Sequence, residues 1–529
     1  MHANVSKNSM KFIMKFSINY IFLLLFVFLA CKSPAPKNED TRPNIIFVMS
    51  DDHTSQAWGI YGGALKDYAI NQNIKRLASE GTVLENAFCT NSICVPSRAS
   101  ILTGQYSHKN QVYTLSDVLH PDQQNVAKLI QNSGYQTALV GKWHLKKKPS
   151  GFDYFNVLPG QGQYHNPKLK SQENWQDGKK GGKQYKGFSA DIIMDESLKW
   201  LDQRDKKKPF MLMTHFKATH EPFDYPERFN NLFENDTLPE PVSLLDFDPA
   251  TSGRSFEGQI LEILAARWTN ATREKSGRYP GLPFDTEGLN EIQIRKKTYQ
   301  KLVKDFLRSA AAIDDNIGKM LRYLDAEGLT DNTVIIYTSD QGYFLGEHGM
   351  FDKRMFLEES ARMPFVIRYP QEIPAGKRSK DMILNIDFPA LMLDYARIPQ
   401  HDSFQGKSFR KNLYSETPTQ WRDKMYYRYY AHALNRPAHF GIRTQRYKLI
   451  FYYGLSLGLK GTYTDKASKP AWEFYDLEND PNELKNEYKN PTYQSIIDQL
   501  KKDLIFLRSE TGDRATDGPE ITKVINEYW

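Results

Sequence analysis

Asn44-Ile-Ile-Phe-Val-Met-Ser50, followed at once by Asp51-Asp52, is an unbroken apolar run that closes on two acids. A strand with one wet face would alternate apolar and polar residues. A run without alternation predicts a strand buried on both faces, as in a parallel sheet. Thr333-Val-Ile-Ile-Tyr-Thr-Ser339, followed by Asp340-Gln341, has the same grammar. Shorter apolar stretches predict strands over residues 136–141 and 209–216. Helical spacing predicts helices over 74–81, 126–134, 189–202 and 301–327. Strands alternating with helices point to an α/β core with a mostly parallel central sheet. Residues 222–291, rich in Pro, Asp, Asn and Arg, read as an irregular insertion over the ligand site.

Past residue 411 the texture changes. Short aromatic-rich strands are predicted over 425–430, 441–444, 447–453 and 472–476, with a helix over 496–507. This predicts a smaller α+β C-terminal subdomain on an antiparallel sheet. The expected organisation is an export signal over 1–30, a tether over 31–42, a main domain over 43–411 and a subdomain over 412–529.

In the export signal, Lys11 and Lys15 precede an apolar stretch that is short for a membrane span and meets Cys31. Phe28-Leu29-Ala30-Cys31 resembles a bacterial lipobox, which implies lipidation of Cys31 and a membrane attachment through that lipid. Cleavage near Ala30 without a lipid is the alternative. Three cysteines, Cys31, Cys89 and Cys94, do not make a disulfide scaffold. Cys89 and Cys94 can pair with each other, or Cys94 can be reactive. The formal charge of +7 falls to +4 once Lys7, Lys11 and Lys15 are set aside. That mild balance suits an anionic substrate, and no basic run marks a nucleic-acid surface.

In open α/β sheets ligands sit beyond the carboxyl ends of strands. Two such ends here offer Asp51, Asp52, Asp340 and the amide of Gln341. These are hard oxygen donors that suit calcium or magnesium, and three carboxylates buried without a cation would be costly. Taken singly, each pair could be a turn or a helix cap. Asp314 and Asp315 are adjacent but mid-helix, and are read as facing solvent or lysines.

Cys94-Val-Pro-Ser-Arg98-Ala-Ser-Ile-Leu-Thr-Gly104 places Pro96 to open a helix and Gly104 to close it. Cys94 then lies at a helix N-terminus, which favours an anion. With this motif the chain resembles the type I sulfatases, of the alkaline-phosphatase-like superfamily, and in particular bacterial polysaccharide-directed members. Gly141-Lys142-Trp143-His144-Leu145, Leu158-Pro-Gly-Gln-Gly162 with Tyr164, and Trp472-Glu-Phe-Tyr-Asp476 extend the resemblance over nearly the whole chain.

The resemblance implies that Cys94 is oxidised to formylglycine by a maturing enzyme. The hydrated aldehyde attacks sulfur, the alcohol leaves, and the second hydroxyl expels sulfate. Cys94 would join the four strand-end residues around calcium. Arg98 would orient the nucleophile, Lys142 and Lys353 would bind sulfate, His144 would assist proton transfer, and His220 would protonate the leaving oxygen. Lys142 and His144 share a face if the chain stays extended there. His215 is read as a core or supporting residue, and His348 as a loop residue that could help. The implied substrate is a sulfated polysaccharide or its oligosaccharides, algal (ulvan, fucoidan, carrageenan) or glycosaminoglycan. The implied location is the cell envelope, in the outer membrane or periplasm. A phosphate or phosphonate esterase on the same fold, and a glycan-binding lipoprotein without turnover, are the alternatives. Candidates for choosing the sugar are His165, His432, Arg436 and His439.

Overall fold

The structure is a computed structural model and describes residues 40–178, 180–246, 258–274, 278–514 and 517–529. The export signal over 1–30 and Cys31 lie outside the described residues, as does most of the tether. Residues Arg42–Trp529 form one compact unit.

In chain order the elements that matter are β1 Asn44–Asp51, α1 Gln72–Ser79, β2 Thr82–Phe88, α2 Cys94–Thr103, α3 Val126–Asn132, β3 Gln136–Lys142, β4 Tyr154–Leu158, β5 Lys168–Ser171, β6 Lys183–Gln184, α4 Ser189–Gln203, β7 Phe210–Thr219, α5 Leu261–Arg273, α6 Glu291–Ala326, β8 Thr333–Ser339, β9 Phe344–Leu345, β10 Phe351–Asp352, β11 Arg362–Arg368, β12 Lys377–Leu384, α7 Phe388–Tyr395, β13 Lys424–Tyr429, β14 His439–Thr444, β15 Tyr447–Tyr452, β16 Ala471–Asp476 and α8 Gln494–Glu510. A ten-stranded sheet runs in the order β12-β2-β11-β8-β1-β7-β3-β4-β5-β6. Its centre is parallel: β1 pairs with both β7 and β8, and β3 pairs with β7 and β4. Strand β11 runs antiparallel between β2 and β8.

The apolar run of β1 is explained by this position. Ile45, Phe47 and Met49 enter the core on one face of the sheet, and Ile46 and Val48 enter the core on the other. Both faces are dry, so neither set can be polar. The register aligns Ser50 with Ser339, which brings the acidic ends of β1 and β8 side by side. The smaller antiparallel sheet, β13-β14-β15-β16, is covered by α8.

Three expectations need correction. The insertion holds a helix, α5, whose Leu261, Leu264 and Trp268 are buried against α6. Helix α6 begins at Glu291, ten residues earlier than expected, because Asn290 and Gln293 form a capping box there. Asp314 faces neither solvent nor lysines: it is buried, and its carboxylate accepts the backbone N–H groups of Asn73 and Ile74 at the start of α1. Its neighbour Asp315 is half-buried and pairs with Arg228 at 2.9 Å.

Candidate active site

All ten residues of α2 are buried, so it is a core helix rather than a surface one. Its first residue, Cys94, faces the paired strand ends, with Sγ 3.7 Å from Asp52 Oδ1 and 3.8 Å from Gln341 Nε2. Its last turn stops at Gly104, left-handed at φ 64°, where a side chain would strike the Phe404 ring. Cys89 and Cys94 are both free, so the mutual disulfide is not formed.

One turn into α2, Arg98 is clamped. Its Nε donates to Asp340 Oδ2 at 2.8 Å and one terminal nitrogen donates to the Lys142 carbonyl at 2.8 Å. Lys142 ends β3 and its ammonium reaches Asp51 Oδ2 and, at 2.5 Å, Gln161 Oε1. Gly141 just before it sits at φ 105°, with β7 so close that any side chain would meet the His215 carbonyl. Lys353 Nζ donates to both oxygens of Asp52, at 2.6 and 2.5 Å. His220 Nε2 lies 3.8 Å from Asp52 Oδ2, and its Nδ1 is held at 2.7 Å by the Glu221 carbonyl. His215 is buried and bonds the Lys142 carbonyl at 3.2 Å, as a supporting residue would.

The extended-chain premise for Lys142 and His144 is not met. Strand β3 ends at Lys142, and His144 is left-handed at φ 60°. Asp52, Asp352 and Arg354 share that conformation, at 63°, 77° and 95°. Non-glycine residues held there cost free energy and concentrate at functional sites. His144 nonetheless stays close enough to Lys142 and Asp51 to feel both charges.

The electrostatics follow from burial beside opposed charges. Burial raises the Asp51 carboxyl, but Lys142, His220 and Arg98 outweigh it and hold the group well below the usual carboxylate range. Burial raises Asp52, only partly offset by Lys353. It pushes Asp340 up to about 7 against the pull of Arg98. Burial, reinforced by Asp51, keeps the Cys94 thiol protonated far above its ordinary range. Burial lowers the rings of His144 and His220 well below the ordinary histidine value. Burial also lowers Lys353, but Asp52 outweighs it and holds the ammonium charged.

Oxygens of Asp51, Asp52 and Asp340 lie within 4.8 Å of one another. Asp51 Oδ1 and Gln341 Oε1 are buried and have no hydrogen-bond partner among the described residues, Asp51 Oδ1 lying 3.5 Å from an Arg98 terminal nitrogen. Unsatisfied buried acceptors between three carboxylates are what a hard cation would satisfy, so the residues fit calcium or magnesium. The grouping of Asp51 with Cys94 and His220 shares the same carboxylate.

A cavity of 310 Å³ opens over these groups. Asp52, Cys94, His220 and Lys353 form its floor; Gln161, Glu221, Arg267, Arg354, Arg436 and Tyr463 are among its walls. Arg436 is therefore at the cavity. His432 and His439 are not: both are fully enclosed. His439 lies among the rings of Tyr427, Tyr429 and Tyr452, and its Nδ1 bonds the Pro437 carbonyl at 2.8 Å. His432 Nε2 bonds the Lys466 carbonyl at 3.0 Å. His165 is half-exposed and lies 3.3 Å from Asp224. His348 is buried beside Asp246 at 3.3 Å.

Some site residues have no sequence signal that would have found them. Tyr427 of β13 accepts the Ser92 N–H at 3.1 Å and donates to the Arg354 carbonyl at 2.6 Å, tying the loop before Cys94 to the cavity wall. Lys217 of β7 is buried over the Tyr164 ring, and burial lowers it to about 7. Arg267, carried by α5, pairs with Glu221 at 2.9 Å. Gln161 could have been found, because it lies within the Leu158–Gly162 stretch that resembles polysaccharide-directed enzymes.

Comparison with known proteins places the chain among relatives. Residues 43–398 match the family model described as Sulfatase, and residues 346–510 match one described as N-sulphoglucosamine sulphohydrolase, C-terminal. An N-acetylglucosamine-6-O-sulfatase of Bacteroides thetaiotaomicron is 38% identical, over 92% of this chain and 89% of the relative. An arylsulfatase of Clostridium perfringens is 28% identical, over 91% of this chain and 98% of the relative. A solved structure described as in complex with its substrate D-glucosamine-2-N,6-O-disulfate aligns with a TM-score of 0.79 at 35% identity, covering 90% of this chain and 99% of that one.

Proposed function

The chain belongs to the sulfatase family and is a sulfuric ester hydrolase, and from that premise we propose that it removes the 6-O-sulfate of glucosamine-type residues in glycosaminoglycan-derived oligosaccharides. In this reading Cys94 is converted to formylglycine, and Asp51, Asp52, Asp340 and Gln341 hold a calcium ion, magnesium being the other hard cation they fit. The supporting observation is that Cys94, His220 and Lys353 line the floor of one cavity beside Asp52, while Arg98 and Lys142 are tied to the acidic strand ends through Asp340 and Asp51 behind it. The choice of sugar follows the 38% identity to an N-acetylglucosamine-6-O-sulfatase.

The formylglycine hydrate supplies an oxygen nucleophile for sulfur, and the cation supplies polarisation of the sulfate oxygens. The ammonium groups of Lys142, at the end of β3, and Lys353, in the loop after β10, clamp a tetrahedral anion, and such preorganised charge is usually the largest catalytic term. Arg98 keeps Asp340 and the end of β3 in register with α2. His144, with its ring neutral, accepts a proton from the attacking hydroxyl. His220, at the cavity side, delivers a proton to the leaving sugar oxygen, and an anion beside the ring raises its proton affinity.

Export and lipid attachment at Cys31 belong to the same proposal. They rest on Lys11, Lys15 and the apolar stretch that meets Cys31. Among the described residues no helix is long and apolar enough to cross a membrane. A formylglycine-generating enzyme is then a required partner before or during export.

The test is sulfate release from defined saccharides: 6-sulfated N-acetylglucosamine, the 2-N,6-O-disulfate of glucosamine, and ulvan and carrageenan oligosaccharides. Aryl phosphate serves as the counter-substrate, and the protein is matured with a formylglycine-generating enzyme. Release from the 6-sulfated amino sugars and none from aryl phosphate is the expected result. No release from any sugar, with conversion of Cys94 confirmed by mass, overturns the reading.

A further inference from the structure

Beside the anion-binding floor, the cavity has an aromatic wall that the proposed chemistry does not use. Tyr463 lines the same cavity as Cys94 and His220, yet its residue surface is 52% exposed. Few large apolar side chains in the described residues are so open. A single exposed ring is ordinary on a protein surface; this one is set apart by its place at the cavity that holds Cys94.

Its surroundings hold it still without burying it. The Tyr463 N–H donates to the His432 carbonyl at 2.8 Å. His432 Nε2 in turn bonds the carbonyl of Lys466, three residues further along the same loop. Thr114 Oγ1 donates to the Lys460 carbonyl at 2.7 Å, and Ser456 bonds Asp465 at 2.8 Å. The guanidinium of Arg436 lies over the ring at 4.8 Å, and Arg436 is itself held by Asp352 at 3.4 Å. With this cation over the ring, 52% of the Tyr463 surface is still open to solvent. His432, expected to touch sugar, is thus a tether of the loop that carries Tyr463.

The cavity, at 310 Å³, is at the small end of ligand sites. Its floor is built for one sulfated residue. An oligosaccharide must leave through the mouth, where a fixed aromatic face meets the next sugar ring. Pyranose rings present axial C–H groups that pack on aromatic faces, and a side chain fixed in advance loses little entropy on binding.

We propose that Tyr463, supported by Arg436 and by the His432-tethered loop, is a stacking platform for the neutral or acidic sugar adjoining the sulfated one. This rests on the sulfatase reading above and extends it to a second subsite. The site therefore favours an oligosaccharide over the free monosaccharide.

The experiment measures KM and kcat for sulfate release from 6-sulfated N-acetylglucosamine and from a disaccharide carrying it at the non-reducing end. Matured wild type, Tyr463→Ala and Tyr463→Phe are compared. Tyr463→Ala is expected to raise the disaccharide-to-monosaccharide KM ratio by about tenfold. Tyr463→Phe keeps the ring and is expected to keep the wild-type ratio. A wild-type enzyme active on both sugars whose KM ratio is unmoved in Tyr463→Ala overturns the platform alone. An equal fall in activity on both sugars also overturns it. A matured wild type that releases sulfate from neither sugar overturns the parent reading, and the platform with it.

Discussion

Arg98 Nε donates to Asp340 Oδ2 at 2.8 Å, and both side chains are shut away from solvent. The pair joins a residue of α2 to the end of β8 across 242 positions of sequence. It sets where Cys94, one turn before Arg98, stands relative to the acidic strand ends. Losing one partner leaves the other charge buried without its nearest counter-charge.

Arg98→Ala is therefore expected to act on both fold and catalysis. Breaking a buried pair from one side costs about 3–5 kcal/mol. Removal of a preorganised electrostatic group lowers kcat by about 10²–10³. Urea unfolding and sulfate-release assays check the two effects. A variant with wild-type stability and only a modest rate loss would show that Arg98 is not the organiser.

Calcium should stabilise the protein, because Asp51 Oδ1 and Gln341 Oε1 are buried without a hydrogen bond and a cation would coordinate both. At about one hundred times its dissociation constant an ion adds roughly 2.7 kcal/mol to stability. The unfolding midpoint is expected to rise on adding calcium to chelator-treated protein. Gln341→Ala is expected to need more calcium for the same rise. A midpoint indifferent to calcium and to magnesium would exclude a cation at this place.

Stability is expected to fall on mild acidification, through His439. Burial lowers this ring to about 4, against roughly 6.5 in an unfolded chain. The folded-state value is the lower one, so between these values the unfolded chain binds the extra proton. The stabilisation is complete above pH 6.5, shrinks as pH falls toward 4, and the total loss is about 3 kcal/mol. His439→Gln is expected to reduce the dependence in this window, the remainder being carried by His53 and His215, which burial lowers to about 3. Urea midpoints at pH 7 and pH 4.5 decide it, and parallel slopes in the two proteins would assign the effect elsewhere.

Asp513 ties the C-terminal elements together. It accepts from Arg428 at 2.6 Å, from Arg508 at 3.0 Å and from the Tyr426 hydroxyl at 2.7 Å, all in the interior. Asp513→Asn leaves two buried guanidinium groups short of charge and is expected to cost about 3–5 kcal/mol. The exposed Lys206–Glu327 pair, at 2.9 Å, is the contrast: Lys206→Ala is expected to cost roughly 1 kcal/mol or less. Equal losses in the two variants would contradict this ranking of buried over exposed pairs.

Much of the site is legible in the amino-acid sequence. The acids after the two apolar runs, and the cysteine opening a helix, are local signals, since each depends only on neighbours in the chain. The helix at 261–273 is not legible there, because its apolar residues sit among the prolines and charges of an insertion. Neither is the role of Asp314, whose partner helix lies about 240 residues away. His439 and His432 mislead for a related reason: an imidazole in an aromatic-rich segment suits a packed interior as well as a sugar-binding rim.

From sequence alone come the dry, mostly parallel sheet and the hard-donor set, because periodicity reports which faces are buried and side-chain type reports which ligands they suit. Tertiary structure alone decides which residues wall the cavity, since Glu221, Arg267, Arg436 and Tyr463 converge from distant loops and a distant helix. It also decides the charge state of the site. Proton affinities there are set by burial beside particular opposite charges, and neither burial depth nor those distances exist until the chain has folded.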